Sequence, residues 1–200
     1  MKLHMKKTLH MNLLRGLSSS AVVALVLAGS PLWAEGEPQL VPTRDVDVTY
    51  DVTRPREPKI RERVRWLASD RLERVDGPGR STTIFDRGTH VITLLISASR
   101  TYRKLDAAPR RATEPPPGAV LKRGAEAVVA GLHCIDWSWT DDVETHVICT
   151  TEDGVLLRLV VDGHTIMQAR SVAYARQRAD LFRVPANYAP ALAPEGGLGP

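Results

Sequence analysis

Residues 155–174 read VLLRLVVDGHTIMQARSVAY. Two strand-like runs, 155–161 and 164–174, flank Asp162-Gly163. Both central residues tolerate positive φ, which the tight turn of a two-residue hairpin demands. This is the strongest hairpin signal in the chain, and it sets a period-two, antiparallel reading for what surrounds it.

Just upstream lie the only two cysteines beyond residue 34, Cys134 and Cys149. Between them Thr140-Asp141-Asp142 makes a polar turn between the strand-like runs IDWSW and ETHVICT. A hairpin centred between 141 and 142 pairs positions that sum to 283, so Cys134 faces Cys149 and Trp137 faces His146. Opposed residues stand about 4.5–5.5 Å apart at Cα, inside the window that a disulfide accepts. In an exported protein the pair reads as a structural staple. The staple closes a short loop and contributes on the order of 3 kcal/mol through unfolded-chain entropy. A reactive thiol is the lesser reading, since it requires an unpaired cysteine.

Further out the alternation continues. VDVTYDV (46–52) puts apolar residues on one parity and polar ones on the other. Residues 61–66, 81–86, 89–96 and 100–105 follow suit less cleanly, and a short strand falls near 127–130. The total is nine or ten strands. No segment of 12 or more residues carries helical periodicity, and 176–181 suits one short turn. The fold class is mainly β.

Residues 106–118 (DAAPRRATEPPPG) interrupt this pattern with four prolines and no large apolar side chain. Such a segment neither pairs inside a sheet nor packs as a helix. Its plain reading is a stiff exposed loop between two halves of the sheet, and its functional reading is a lid over a ligand site.

At the N-terminus a cationic stretch precedes the apolar run AVVALVLA (21–28), then GSP and LWA ending at Ala34. These are the three parts of a secretory signal. Eight apolar residues are too few to cross a bilayer, which takes about 20. Residues 1–34 are therefore expected to be cleaved, leaving one domain over 35–190, a frayed tail over 191–200 and no transmembrane anchor. Ser30 stands where a lipoprotein signal has its cysteine, so the periplasmic product is not lipidated. The chain carries 27 Lys+Arg against 23 Asp+Glu, and the surplus is Lys2, Lys6, Lys7 and Arg15 of that signal. Without them the balance is neutral, which excludes a polyanion-binding surface and a nucleic-acid partner.

Three stretches carry a resemblance: VAGLHC (129–134) with Trp137 downstream, CTTEDGV (149–155) and LFRVPANY (181–188). Together they resemble a family of small secreted bacterial proteins of unknown function. The resemblance implies a fold similar to the LolA-type periplasmic lipoprotein carriers, a strongly curved antiparallel sheet forming a half-barrel around an apolar hollow. The chain departs from those carriers in lacking long amphipathic helices to plug the hollow.

Sheet physics leads to the same shape. Nine or so half-apolar strands without covering helices must curl, or leave on the order of hundreds of Å² of apolar face wet. An incomplete barrel buries its inner face, and its mouth becomes a cavity. Tyr50, Trp66, Tyr102, Trp137 and Trp139 are the large side chains available to line it, although each taken singly reads as an ordinary core aromatic. Phe182, Pro185 and Tyr188 read as the closure of the fold rather than as a binding motif, because apolar residues near a domain's end usually anchor it.

Catalytic motifs are missing: there is no G-x-S-x-G, H-E-x-x-H, Walker or G-x-G-x-x-G pattern. His90, His133, His146 and His164 with Glu144 make a thin metal set. Asp45, Asp47 and Asp51 lack the glycine turn and distal glutamate of a calcium loop. The arginines of 54–65 read as a soluble face balanced by nearby acids. No metal, cofactor or catalytic residue is implied. The expectation is a non-catalytic periplasmic protein that binds a lipid, an acyl chain or another amphiphile. The alternative is an envelope protein–protein interaction module without a small ligand.

Overall fold

The computed structural model describes residues 36–54, 56–106, 112–141 and 143–191. The signal and its cleavage point lie outside them, as does the tail from 192 onward. Twelve strands form one open, curved sheet. They are β1 (Val46–Val52), β2 (Ile60–Leu67), β3 (Leu72–Asp76), β4 (Ser81–Asp86), β5 (Val91–Ile96), β6 (Thr101–Asp106), β7 (Lys122–Val129), β8 (Leu132–Thr140), β9 (Thr145–Thr150), β10 (Leu156–Val161), β11 (His164–Ala173) and β12 (Ala189–Pro190). The only helical elements among the described residues are three 3-10 turns.

The order β12-β6-β5-β4-β3-β2-β1-β11-β10-β9-β8-β7 resolves into two antiparallel meanders. One runs outward from β1 to β6. The other starts at the far edge with β7 and returns to β11, which pairs with β1. Between them the chain passes from one edge of the sheet to the other. Ten strand-to-strand steps separate β6 from β7, about 48 Å along the sheet at about 4.8 Å each. Fifteen residues, 107–121, make the connection, and at full stretch they reach only about 50 Å. A path across the hollow of a curled sheet is shorter than one around it, and the described part of the connection takes it, with a turn closed by the Ala119 N–H on Pro116 O at 3.0 Å. Thr113, Glu114, Pro115 and Pro116 are half-buried there, a strap rather than a free loop. Residues 107–111 lie outside the described set.

β1 shows why the sheet forms. Its apolar parity, Val46, Val48, Tyr50 and Val52, is buried, while Asp47, Thr49 and Asp51 are half-exposed. At 162–163 both residues have positive φ, 47° and 79°, as the hairpin requires. Ala130-Gly131, at 50° and 80°, makes a second turn of the same sort between β7 and β8.

Three expectations need correction. The strand count is twelve, because β3 and the two-residue β12 carry little alternation. The edge strand β7 starts at Lys122, five residues before the short strand near 127–130. The stapled hairpin sums to 285, so Asp136 faces Cys149, Trp137 faces Ile148 and Trp139 faces His146. The reason is Asp141: its carboxylate accepts the backbone N–H groups of Val143 (3.2 Å) and Glu144 (3.0 Å), which makes a four-residue loop over 141–144. The cysteines are nonetheless joined. Strand twist brings the diagonal pair to 5.4 Å between Cα atoms.

The sheet's two faces are covered differently. On the inner face β1, β2 and the returning meander supply a core containing Val46, Val48, Tyr50, Val64, Trp66 and Leu157. On the outer face of the β2–β6 half, residues 179–188 lie over Leu67, Ile84 and Leu95. Phe182 is 4% exposed in that cluster. Pro185 O accepts the Tyr188 N–H at 3.0 Å, and the Tyr188 hydroxyl meets Ser97 Oγ at 3.0 Å. The chain then runs into β12, parallel to β6, so that Pro190 sits on that rim. At the opposite rim β7 has no outer neighbour in the sheet and leaves Val128 60% exposed.

Candidate functional site

A cavity of about 310 Å³ lies on the inner face. Its walls come from six strands: Val48 and Tyr50 on β1, Val64 and Trp66 on β2, Val75 on β3, Ile148 on β9, Leu156 on β10 and Met167 on β11. Leu40, Val41 and Pro42 close one side, and Thr113, Glu114 and Pro115 of the strap close another. The Tyr50 hydroxyl donates to the Leu156 carbonyl at 2.6 Å, bridging β1 to β10 over the intervening β11. Such a reach needs a curled sheet.

Besides Glu62 on β2, the charged lining of the cavity gathers at one corner. Glu73 on β3 is 2% exposed and accepts from Arg87 Nη2 at 2.7 Å. The other terminal nitrogen, Nη1, is bonded to Glu114 of the strap. The guanidinium stands over two rings, Phe85 at 5.5 Å and Trp66 at 5.9 Å, within cation–π range. Burial alone would lower the Arg87 pKa, but the two carboxylates outweigh it and hold the group above its ordinary value. Register explains the grouping. Trp66 faces Glu73 and Glu73 faces Phe85, so all three share the inner face, and Arg87 follows β4 directly. An isolated buried glutamate is costly, and this one is matched by a half-buried cation.

The sequence-derived aromatics divide. Tyr50 and Trp66 line the cavity. Trp137 and Trp139 belong to a separate cluster with Ile148 and Leu159, where Trp139 stacks on His146 at 5.0 Å. His146 Nε2 lies 3.2 Å from Asp141. Tyr102 is on the opposite face: it pairs with Leu95 and packs beside Phe182 under the C-terminal segment. Glu73, Arg87 and Glu114 were not singled out from the sequence. Glu73 sits on the unrecognised β3, Arg87 reads as a turn residue, and Glu114 stands in a segment defined by its prolines.

The aspartates on and before β1 have structural partners. Asp45 accepts from the backbone N–H groups of Ala68 (2.9 Å) and Gln177 (2.8 Å). Asp47 accepts from Arg63 at 2.9 Å, and Asp51 lies 3.2 Å from Lys59. A wider depression, about 740 Å³, runs between residues 67–70 and 176–180. It is lined mostly by polar and charged side chains, and Leu67 and Ala179 are its only aliphatic ones.

Fold and site together define an open β half-barrel with an apolar hollow, a half-buried arginine at its wall and a strap across it. No protein-family model and no curated protein matches the chain. Among solved structures it is similar to an uncharacterized conserved protein from Thermus thermophilus, at 15% identity and a TM-score of 0.54, over 74% of this chain and 90% of that one. It is also similar to MucB of Pseudomonas aeruginosa in its complex with MucA, at 15% identity and a TM-score of 0.52, over 72% of this chain and 56% of that one. MucB solved by itself gives 15% identity and a TM-score of 0.50, over 74% and 60%. The chain thus spans little more than half of the MucB structures, and the likeness is one of fold.

Proposed function

We propose that this protein is exported to the periplasm and holds a hydrophobic or amphiphilic molecule, such as a lipid or acyl chain, in its hollow without transforming it. One observation carries the reading: a cavity of about 310 Å³ with apolar walls and a single cationic corner. Ligand sites of this kind run from about 300 to 1,000 Å³, apolar with a few placed polar groups. The non-catalytic part rests on the charged groups at the cavity. Arg87 is engaged by Glu73 and Glu114, and Glu62 pairs with Arg54 at 3.0 Å, so each of these groups is held in an ion pair. The test is protein purified natively from the periplasm, extracted with organic solvent and analysed by mass spectrometry, alongside titration with a hydrophobic dye. The reading expects a co-purifying lipid and saturable dye uptake. Finding no lipid and no dye uptake would overturn it.

The second reading, an envelope protein–protein module, draws support from the MucB likeness, since that protein was solved with MucA bound. The exposed strand β7 supplies the kind of edge to which an extended segment adds. Cross-linking in cells separates the two, a discrete protein partner without lipid favouring the second.

A further inference from the structure

The strap's only acidic side chain among the described residues, Glu114, reaches the cavity's one cation. Arg87 holds two carboxylates, and they differ in kind. Glu73 projects from the middle of β3, is 2% exposed and is fixed by the sheet. Glu114 lies on a segment outside the sheet ladder, and its side chain is 33% exposed. Glu73 is therefore the permanent counter-ion and Glu114 the exchangeable one. We propose that Arg87 is the head-group site for a carboxylate-bearing amphiphile, and that Glu114 occupies this site in the closed arrangement and gives it up when such a ligand enters. The inference rests on the cargo reading above and names the ligand class.

The exchange balances. One carboxylate replaces another on Arg87 Nη1, so the corner keeps its net charge and its hydrogen bonds. Glu114 turns toward solvent, to which a third of its side chain is already exposed. A head bound there starts its chain at Trp66 and leads it along Val64 and Val48, all on the lining of the same cavity. Arg87 Nε, buried and without a hydrogen-bond partner, is a further donor on the same guanidinium. A monoester phosphate head carries up to two negative charges and would add charge beside Glu73, so the corner favours a carboxylate over it.

Calorimetric titration of the full exported chain with decanoate, decanol and decyl phosphate tests this, for the wild type and for Glu114→Gln. The wild type is expected to prefer decanoate over decanol. Glu114→Gln is expected to widen that preference about tenfold, the scale of one competing charge-assisted hydrogen bond. Equal binding of decanoate and decanol in both proteins would overturn the head-group site while leaving the cargo reading intact. An unchanged preference in Glu114→Gln would overturn the exchange. Decyl phosphate outranking decanoate would overturn the carboxylate assignment. No binding of any of the three would overturn this inference together with the cargo reading.

Discussion

Gly154 stands at φ +90°, and a β-carbon there would lie 2.4 Å from the Val41 carbonyl oxygen. Beside it Asp153 gathers the surrounding chain. Its carboxylate accepts from Thr151 at 2.6 Å, Arg44 at 2.7 Å and Tyr174 at 3.0 Å, while Arg44 also lies over the Tyr174 ring at 3.6 Å. The Glu-Asp-Gly turn thereby fastens the segment that closes one side of the hollow. Gly154→Ala meets both a strained backbone and a backbone clash, and should cost about 1–3 kcal/mol or more by urea denaturation. A second residue-scale case is Asp76. Burial favours its protonated form, but the bonds from Arg74 (2.9 Å) and Thr82 (2.8 Å) and the Arg65 charge outweigh that and hold its pKa below the usual range. A carboxyl depressed on folding stabilises fully above its unfolded pKa, and this is lost as pH falls through the folded value. Asp76→Asn should therefore be less stable than wild type by about 1–3 kcal/mol at neutral pH. The gap should begin to close as pH drops below about 4, and close fully once pH falls past the depressed folded value, where the folded carboxyl is itself neutralised. Denaturation midpoints from pH 7 to 3 measure it.

At the scale of elements, the C-terminal segment is held chiefly by one ring. Phe182 fills the space between Leu67, Ile84 and Leu95, and Phe182→Ala should cost about 3–5 kcal/mol, read as a lower melting temperature. How much of this was legible depended on local signals. β1 was readable because its two parities differ sharply, and the 162–163 turn because Asp-Gly suits positive φ. β3 was not readable: Leu72-Glu73-Arg74-Val75-Asp76 buries a glutamate on the parity where a hydrophobe is expected, and it is introduced by Arg71 at φ 55° with no glycine to mark the turn. The cavity's charged corner was missed for the same reason, since a buried ion pair cancels in composition and its members lie 14 and 27 residues apart. The hairpin register went astray by two because the hydrogen-bonding power of the Asp141 side chain lengthens the loop. The disulfide survived that slip because a twisted ribbon tolerates a diagonal bridge.

For the molecule as a whole, the connectivity matters more than any one contact. Two meanders joined only along β1 and β11 enclose the hollow, and the link between β6 and β7 has to cross it. The strap is therefore a consequence of strand order, and a ligand site beneath it inherits a cover for topological reasons. The unequal rims carry a consequence for self-association. One carries the two-residue β12 only against Thr101 and Tyr102, which leaves β6 from Arg103 to Asp106 without a ladder partner on that side; the other, among the described residues, ends bare along all of β7. Strand addition starts where the longest run of unpaired backbone stands. Two copies are therefore expected to meet bare rim to bare rim, an isologous pairing that closes on itself at those edges.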